Sequence, residues 1–376
     1  MSHAWKRATL HDLVELQRGY DLPSQDRLPG NIPVMGGGGL NGFHAVANVK
    51  GPGVVIGRSG AGFGTAFYSE DDFWAHNTVL FVKNFNGNDT NYVYHFLKWF
   101  DFSTYNSGGA QPSLNRNFIY PIEIEIPPLP EQTAIASVLS TWDLSIEKTE
   151  RLIAAKEKWF TSLTQELIHN CTEGLRHVYL RDICEPITRK NSVNELNVLT
   201  TSAQHGLISQ MDYYKKSVSA EDVRGYYLLK KGEFAYNRSS SNGYPYGAIK
   251  RLEDYPQGVL STLYLCFSLR TDAPCDSDFM AHAFEAGLLN KQLVGVCQEG
   301  ARSHGLLNIT KADFFSLKMA LPAINEQRKI AAILTTARQE IDLLKQQADA
   351  CRRQKRGLMQ KLLTGQWRVR SMKENS

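Results

Sequence analysis

The sequence predicts an α+β protein in which two mixed α/β domains are separated by two long antiparallel coiled-coil helices, the halves being related by a pseudo-two-fold internal repeat. Three observations predict it. The chain has 376 residues, enough for two or three folded units at roughly 150 residues each. The proline-led segments PPLPEQTAIASVLSTWD from Pro127 and PAINEQRKIAAILTTAR from Pro322 match, with Glu131-Gln132 and Glu326-Gln327 lying 195 positions apart. Each opens a long proline-free stretch whose apolar residues recur at alternating intervals of four and three, the signature of a helix with one apolar stripe.

Residues 1–127 form the first expected domain, with 9 basic and 11 acidic residues. Its strand-like segment VVIGRSGAGFGTAFY from Val54 places Arg58-Ser59 in a glycine-rich turn, and a polar loop, SGGAQPSLNRNFI from Ser107, precedes the strand that runs into Pro127. Residues 128–172 form the first spacer helix. Proline stops the preceding strand, and Glu131 in the first turn complements the partial positive charge of the helix start. The expected seam is Ile135, Leu139, Trp142, Ile146, Thr149, Ile153, Lys156, Phe160, Leu163 and Leu167.

Residues 173–322 form the second expected domain, with 17 basic and 16 acidic residues. The repeat continues here: YLRDI at Tyr179 resembles TLHDL at Thr9, FAYNRSSSNGYPYGAI from Phe234 repeats the Arg-Ser turn at Arg238-Ser239, and EGARSHGLLNITKADF from Glu299 stands before the second helix. That helix, residues 323–366, keeps the phase of the first with Ile330, Leu334, Ala337, Ile341, Leu344, Ala348, Cys351, Lys355, Leu358 and Leu362, and only Gly357 weakens it. One apolar stripe is ordinarily a core helix, but two phased copies supply each other's partner. The first helix holds 4 basic and 6 acidic residues and the second 9 and 4, so their charges oppose. Chain order requires antiparallel pairing, and about 38 residues at 1.5 Å each would hold the domains roughly 55 to 60 Å apart. Residues 367–376 are a basic tail with 3 basic residues and 1 acidic.

The composition, 42% hydrophobic and 21% charged, excludes wholesale disorder. The opening MSHAWKRATLHD has no secretory apolar stretch, and no run approaches the roughly 20 apolar residues of a membrane span, so a cytoplasmic protein without membrane contact is expected. Six cysteines without a C-x-x-C pair suggest reduced, structural thiols and no zinc site. GRSGAGFGT from Gly57 lacks the Lys-Ser or Lys-Thr of a triphosphate loop, and its third dinucleotide-loop glycine would fall on Thr65. The run Gly36 to Gly39 also lacks the following lysine and reads as a mobile turn. There is no H-E-x-x-H, and Ile126 stands before Pro127-Pro128 where an amino-methyltransferase would hold its target amine, so no catalytic residue is expected.

The paired loops suit nucleic acid, since arginine can bond guanine and Gln or Asn adenine, although polar glycine-rich loops also serve as plain turns. The candidate DNA contacts are Arg58, Ser59, Gln111, Asn115, Arg238, Ser239, Asn242, Arg302, Ser303 and His304.

In the order, spacing and duplication of IPPLPEQTAIASVLS and LPAINEQRKIAAIL, and in the loops just upstream, nearly the whole chain resembles the DNA-specificity subunit of a type I restriction-modification system. Asn325 departs from the pattern where the first copy has Pro130, and the two domains share little sequence, as expected if each reads a different half-site. The resemblance implies that the domains are target-recognition domains reading a bipartite double-stranded DNA site. It further implies that the helices space the halves and dock two methyltransferase subunits, and that motor-nuclease restriction subunits join them for host defence. This chain would then bind no cofactor and catalyse nothing, S-adenosylmethionine belonging to the partner methyltransferase. Two other classes stay open on the residues alone: a self-sufficient DNA methyltransferase with divergent motifs, and a coiled-coil scaffold with no DNA role.

Overall fold

A computed structural model describes residues 4–109, 111–171, 174–202, 206–214, 222–241, 243–296, 298–299 and 307–369. Its contacts divide the chain into two compact units, Met1–Leu152 with Leu344–Ser376, and Ile153–Leu343.

The first unit begins with β1 (Lys6–Thr9), α1 (Leu10–Leu13) and β2 (Glu15–Arg18). Thr9 caps α1, with its backbone N–H donating to Asp12 Oδ2 at 2.7 Å, a reciprocal cap that explains the repeated TLHDL pattern. There follow β3 (Ile32–Gly36), β4 (Gly39–His44), β5 (Gly53–Gly57), β6 (Ala66–Ser69), β7 (Trp74–Ala75), β8 (Val79–Asn84), α2 (Thr90–Trp99), α3 (Arg116–Ile119) and β9 (Glu123–Ile126). A four-stranded sheet has the order β2-β8-β5-β6, a three-stranded one β4-β3-β7, and β1 pairs with β9. The long helix α4 (Leu129–Thr164) follows, and one π turn, Gln165–His169, ends it.

The second unit repeats the plan. It contains β10 (Arg176–Tyr179), α5 (Leu180–Ile183), β11 (Cys184–Pro186), β12 (Leu199–Ser202), β13 (Gly206–Ser209), α6 (Gln210–Tyr214), β14 (Tyr227–Lys230), β15 (Phe234–Asn237), β16 (Ala248–Arg251), β17 (Gln257–Leu260) and β18 (Leu265–Leu269). These lead to α7 (Ser277–Glu285), α8 (Asn290–Val296), β19 (Gln298–Glu299), β20 (Leu307–Asn308), α9 (Lys311–Phe315), β21 (Lys318–Leu321) and α10 (Ile324–Leu363). Its sheet order β11-β18-β15-β16 reproduces β2-β8-β5-β6, and β10 pairs with β21 as β1 pairs with β9. The internal repeat is thus a repeat of topology.

Every expected seam position on α4 and α10 is buried or half-buried. The phase shifts in the π turn, where Ile168 is buried and Leu167 half-buried, as one extra residue per turn dictates, and near the end of α10, where Met359 is buried and Leu358 half-buried. Ion pairs give the direction within each unit. In the first, Asp143 meets Lys355 at 2.5 Å and Glu150 meets Arg352 at 2.5 Å; in the second, Lys156 meets Glu340 at 2.6 Å and Arg338 stacks on Phe160. In both, a step forward on α4 is matched by a step back on α10, which makes the pairing antiparallel.

The helices are also structural parts of the domain cores. Ile135, Leu139 and Leu362 share a cluster with Leu10, Tyr92 and Phe96, while Phe160, Leu334 and Ile341 share another with Phe234, Phe267 and Phe279. No helix among the described residues is long and apolar enough to cross a membrane.

Candidate nucleic-acid interface

The Glu-Gln repeat anchors each long helix to its domain. Gln132 is buried, its amide donating to the Pro127 carbonyl at 2.9 Å and to Asn88 Oδ1 at 2.8 Å, while its oxygen accepts from the Asp89 N–H at 2.9 Å. Gln327 repeats this with the carbonyls of Pro322 and Pro274 and the N–H of Asp276. Asp89 and Asp276 in turn cap α2 and α7. One glutamine therefore ties the end of a strand, the start of a long helix and the start of a domain helix. Glu131 does more than complement the helix start: buried, it accepts from Arg368 Nε and Nη2 at 2.7 and 2.8 Å and from the Trp5 indole at 3.1 Å. Its counterpart Glu326 is exposed and pairs with Lys329.

A buried histidine and its half-buried counterpart repeat as well. His95 Nε2 lies 3.1 Å from the Ser140 hydroxyl of α4, and His282 Nε2 lies 2.9 Å from that of Thr335 on α10. Burial, followed by the nearby cations Lys355 and Arg338 respectively, pushes both imidazoles down to about 4, so they are neutral at pH 7.

The Arg-Ser turns hold the paired loops. The Arg58 carbonyl accepts from the Leu114 N–H at 2.8 Å, and the Arg238 carbonyl accepts from the Leu307 N–H at 2.8 Å. In the first unit this brings Arg58, Ser59 and Asn115 together, since Ser59 bridges Ser113 and Asn115 caps α3 through the Asn117 N–H at 3.0 Å. Gln111 sits exposed on the same loop. Two glycines of this turn are closely packed, one of them against the Gly36–Gly39 run: a Cβ on Gly62 would lie 1.6 Å from the Gly37 carbonyl oxygen, and one on Gly57 1.9 Å from that of Gly62, whereas Gly38 and Gly60 stand in open space.

The side chains of the two arginines differ. Arg58 spends one N–H on the Asn77 carbonyl at 3.2 Å. Arg238 donates through Nε to the Leu263 carbonyl at 2.9 Å and through Nη1 to that of Ile309 at 3.1 Å, stitching three loops together. Ser239 is half-buried beside it, its N–H donating to the Asn237 side chain at 3.1 Å. Asn242, Arg302, Ser303 and His304 lie outside the described residues.

Arg58 and Asn115 open onto a cleft of about 840 Å³ that sequence reasoning missed. Its wall is the edge strand β2, whose outward backbone at Leu16 is satisfied by side chains: Tyr120 Oη lies 2.7 Å from the N–H and 3.0 Å from the carbonyl, and Arg116 donates to that carbonyl at 2.7 Å. Of the 9 basic residues in 1–127, four line the cleft (Arg18, Arg58, Lys83 and Arg116), against one of the 11 acidic residues, Glu15. A near-neutral segment thus concentrates its positive charge in one concave surface. Partial burial, with Arg18 nearby, holds the Arg58 guanidinium below its ordinary value without neutralising it. Arg18, Lys83 and Asn115 come from separate parts of the sequence, so only the Arg-Ser turn and the loop signalled the site in advance.

Among the described residues no group of three or more acidic, histidine or cysteine side chains is placed to hold a metal. Cys171, Cys184, Cys266, Cys275 and Cys351 are free thiols, and burial pushes Cys184 and Cys266 up to about 12. Cys297 lies outside the described residues.

Residues 3–157 match the family described as Type I restriction modification DNA specificity domain. The chain is 24% identical over 143 residues to the type I restriction enzyme EcoprrI specificity subunit of Escherichia coli, covering 37% of this chain and 36% of that protein. It is 28% identical over 121 residues to a putative type I restriction enzyme specificity subunit of Haemophilus influenzae, 31% of each chain being covered. These alignments span about a third of the curated relatives' length. Over nearly its whole length the fold is similar to a crystal structure of the type I restriction-modification S subunit from M. genitalium, with a TM-score of 0.64, 16% identity, and 96% of both chains covered. A second structure, from work on complex assembly and conformational transition of the type I system, gives a TM-score of 0.53 at 14% identity, covering 97% of this chain and 98% of the other.

Proposed function

We propose that this chain, which carries a type I restriction-modification DNA specificity domain at residues 3–157 on a fold shared with type I specificity subunits, reads a bipartite DNA site for partner enzymes and performs no chemistry itself. One observation supports this above the others: a single fold is built twice, with the same sheet order, the same glutamine anchor and an antiparallel helix pair. Two copies of one domain on such a pair suit two separated stretches of one duplex. The cationic cleft, concave and rich in side-chain amides, suits the first stretch.

On this reading, two methyltransferase subunits dock against the helices and supply S-adenosylmethionine, and motor-nuclease subunits complete the restriction complex in the cytoplasm. The test is to incubate the purified chain with DNA and labelled S-adenosylmethionine, with and without methyltransferase subunits of its system. Label should enter DNA only when both are present. Methyl transfer by the chain alone would overturn the proposal in favour of a self-sufficient methyltransferase.

A further inference from the structure

Arg18 ends β2 and Lys83 lies on β8; both are exposed, and among the described residues neither side chain makes an ion pair or a hydrogen bond. Arg58 commits one of its N–H groups. Three cations therefore line one cleft with most of their donors free. The backbone offers a second, independent sign. Glu15 pairs with Asn84 and Leu16 with Val82, so Lys83 is the extra residue of a bulge in the ladder. A bulge bends its strand and re-aims the side chain it carries, and here that side chain lines the cleft.

Among the described residues the second unit lacks this arrangement. Counting from the matched caps at Thr9 and Tyr179, Thr188 stands where Arg18 stands in the first unit. Its β11–β18 ladder runs without a register shift, and Arg238 is latched to two carbonyls.

We propose that Arg18, Arg58 and Lys83 form a phosphate anchor in the first unit, unmatched among the described residues of the second, that grips neighbouring phosphates of one DNA strand irrespective of sequence. Resting on the DNA-reading function proposed above, this gives the two halves different work: the first supplies sequence-independent hold as well as reading. Guanidinium and ammonium groups without carboxylate partners gain most from phosphate, by releasing its condensed counterions. Asn115 and the rest of its loop remain free to meet base edges once the backbone is held.

The test uses the R18A/K83A variant, which removes two unbonded side chains and should melt like the wild type. Complexes with methyltransferase subunits are titrated with a duplex carrying the methylated site and with a random duplex, across a range of salt. Both affinities should fall by the same factor, and the plot of log affinity against log salt should become shallower by about 2. Unchanged affinity and slope would overturn the anchor, as would a loss confined to the specific duplex, which would make these residues base readers. A wild-type complex that binds neither duplex would instead overturn the DNA-reading function itself.

Discussion

Arg58 and Arg238 occupy matching turns, yet their side chains have different surroundings, and substitution should separate them. Arg238→Ala leaves the Leu263 and Ile309 carbonyls without their donor, which should lower stability by about 1 to 3 kcal/mol in denaturant unfolding. Arg58→Ala removes a single part-buried bond, to the Asn77 carbonyl; it should change unfolding less than Arg238→Ala does and weaken DNA binding, by about 1 to 3 kcal/mol at one half-site if the lost contact is to a base. Equal effects of both variants on binding, with stability unchanged, would contradict the difference. The Arg-Ser pairs were legible in the sequence as turns, and Arg58, Ser59 and Asn115 do converge. That Arg238 is a latch was not legible, because its acceptors come from loops 25 and 71 residues further along. Arg18 and Lys83 were hidden for a similar reason: neighbouring strands and a bulge bring them to the cleft, and no periodic pattern records a bulge.

The long helices were the most legible elements, since a seam with strict four-three spacing survives in water only when covered, and two phased copies identify the cover. The part played by their first turns was less so. Glutamine in a helix start reads as an ordinary polar residue until the carbonyls of Pro127 and Pro274 and the N–H groups of Asp89 and Asp276 appear around it. Gln327→Ala should therefore cost on the order of 2 kcal/mol, far more than an exposed cap, because it orphans buried backbone groups; a loss within a few tenths would contradict the anchor. His95 and His282 set a pH dependence at the same joints. Their folded values, about 4, lie below the ordinary 6.5, so the unfolded chain binds more protons between these limits. Their contribution to stability is complete above about pH 6.5 and is lost progressively as the pH falls towards 4. Replacing Ser140 and Thr335 with valine would leave the imidazoles buried without their hydroxyl partners. Stability rising as the pH falls from 6.5 to 5 would contradict this assignment.

At the scale of the whole chain, the charge average concealed the cleft: the two domains expected from the sequence are nearly balanced in charge, whereas the first unit gathers four basic residues around one concave surface. If the helix pair spaces the half-sites, matched seven-residue insertions in α4 and α10 should keep the seam in phase and lengthen the pair by about 10.5 Å. The preferred gap should then grow by about three base pairs at 3.4 Å each, with the bases read at either end unchanged. An insertion in one helix alone should mainly destabilise the fold, because the seams then lose their register. The most direct measurement is a map of every base methylated when this chain is combined with the methyltransferase subunits proposed as its partners. Two short defined sequences separated by a fixed number of unspecified base pairs are predicted, with one block changing when residues 1–127 are exchanged for those of a different specificity subunit. A single contiguous site, or a pattern indifferent to that exchange, would contradict the reading of the chain as a two-part DNA reader.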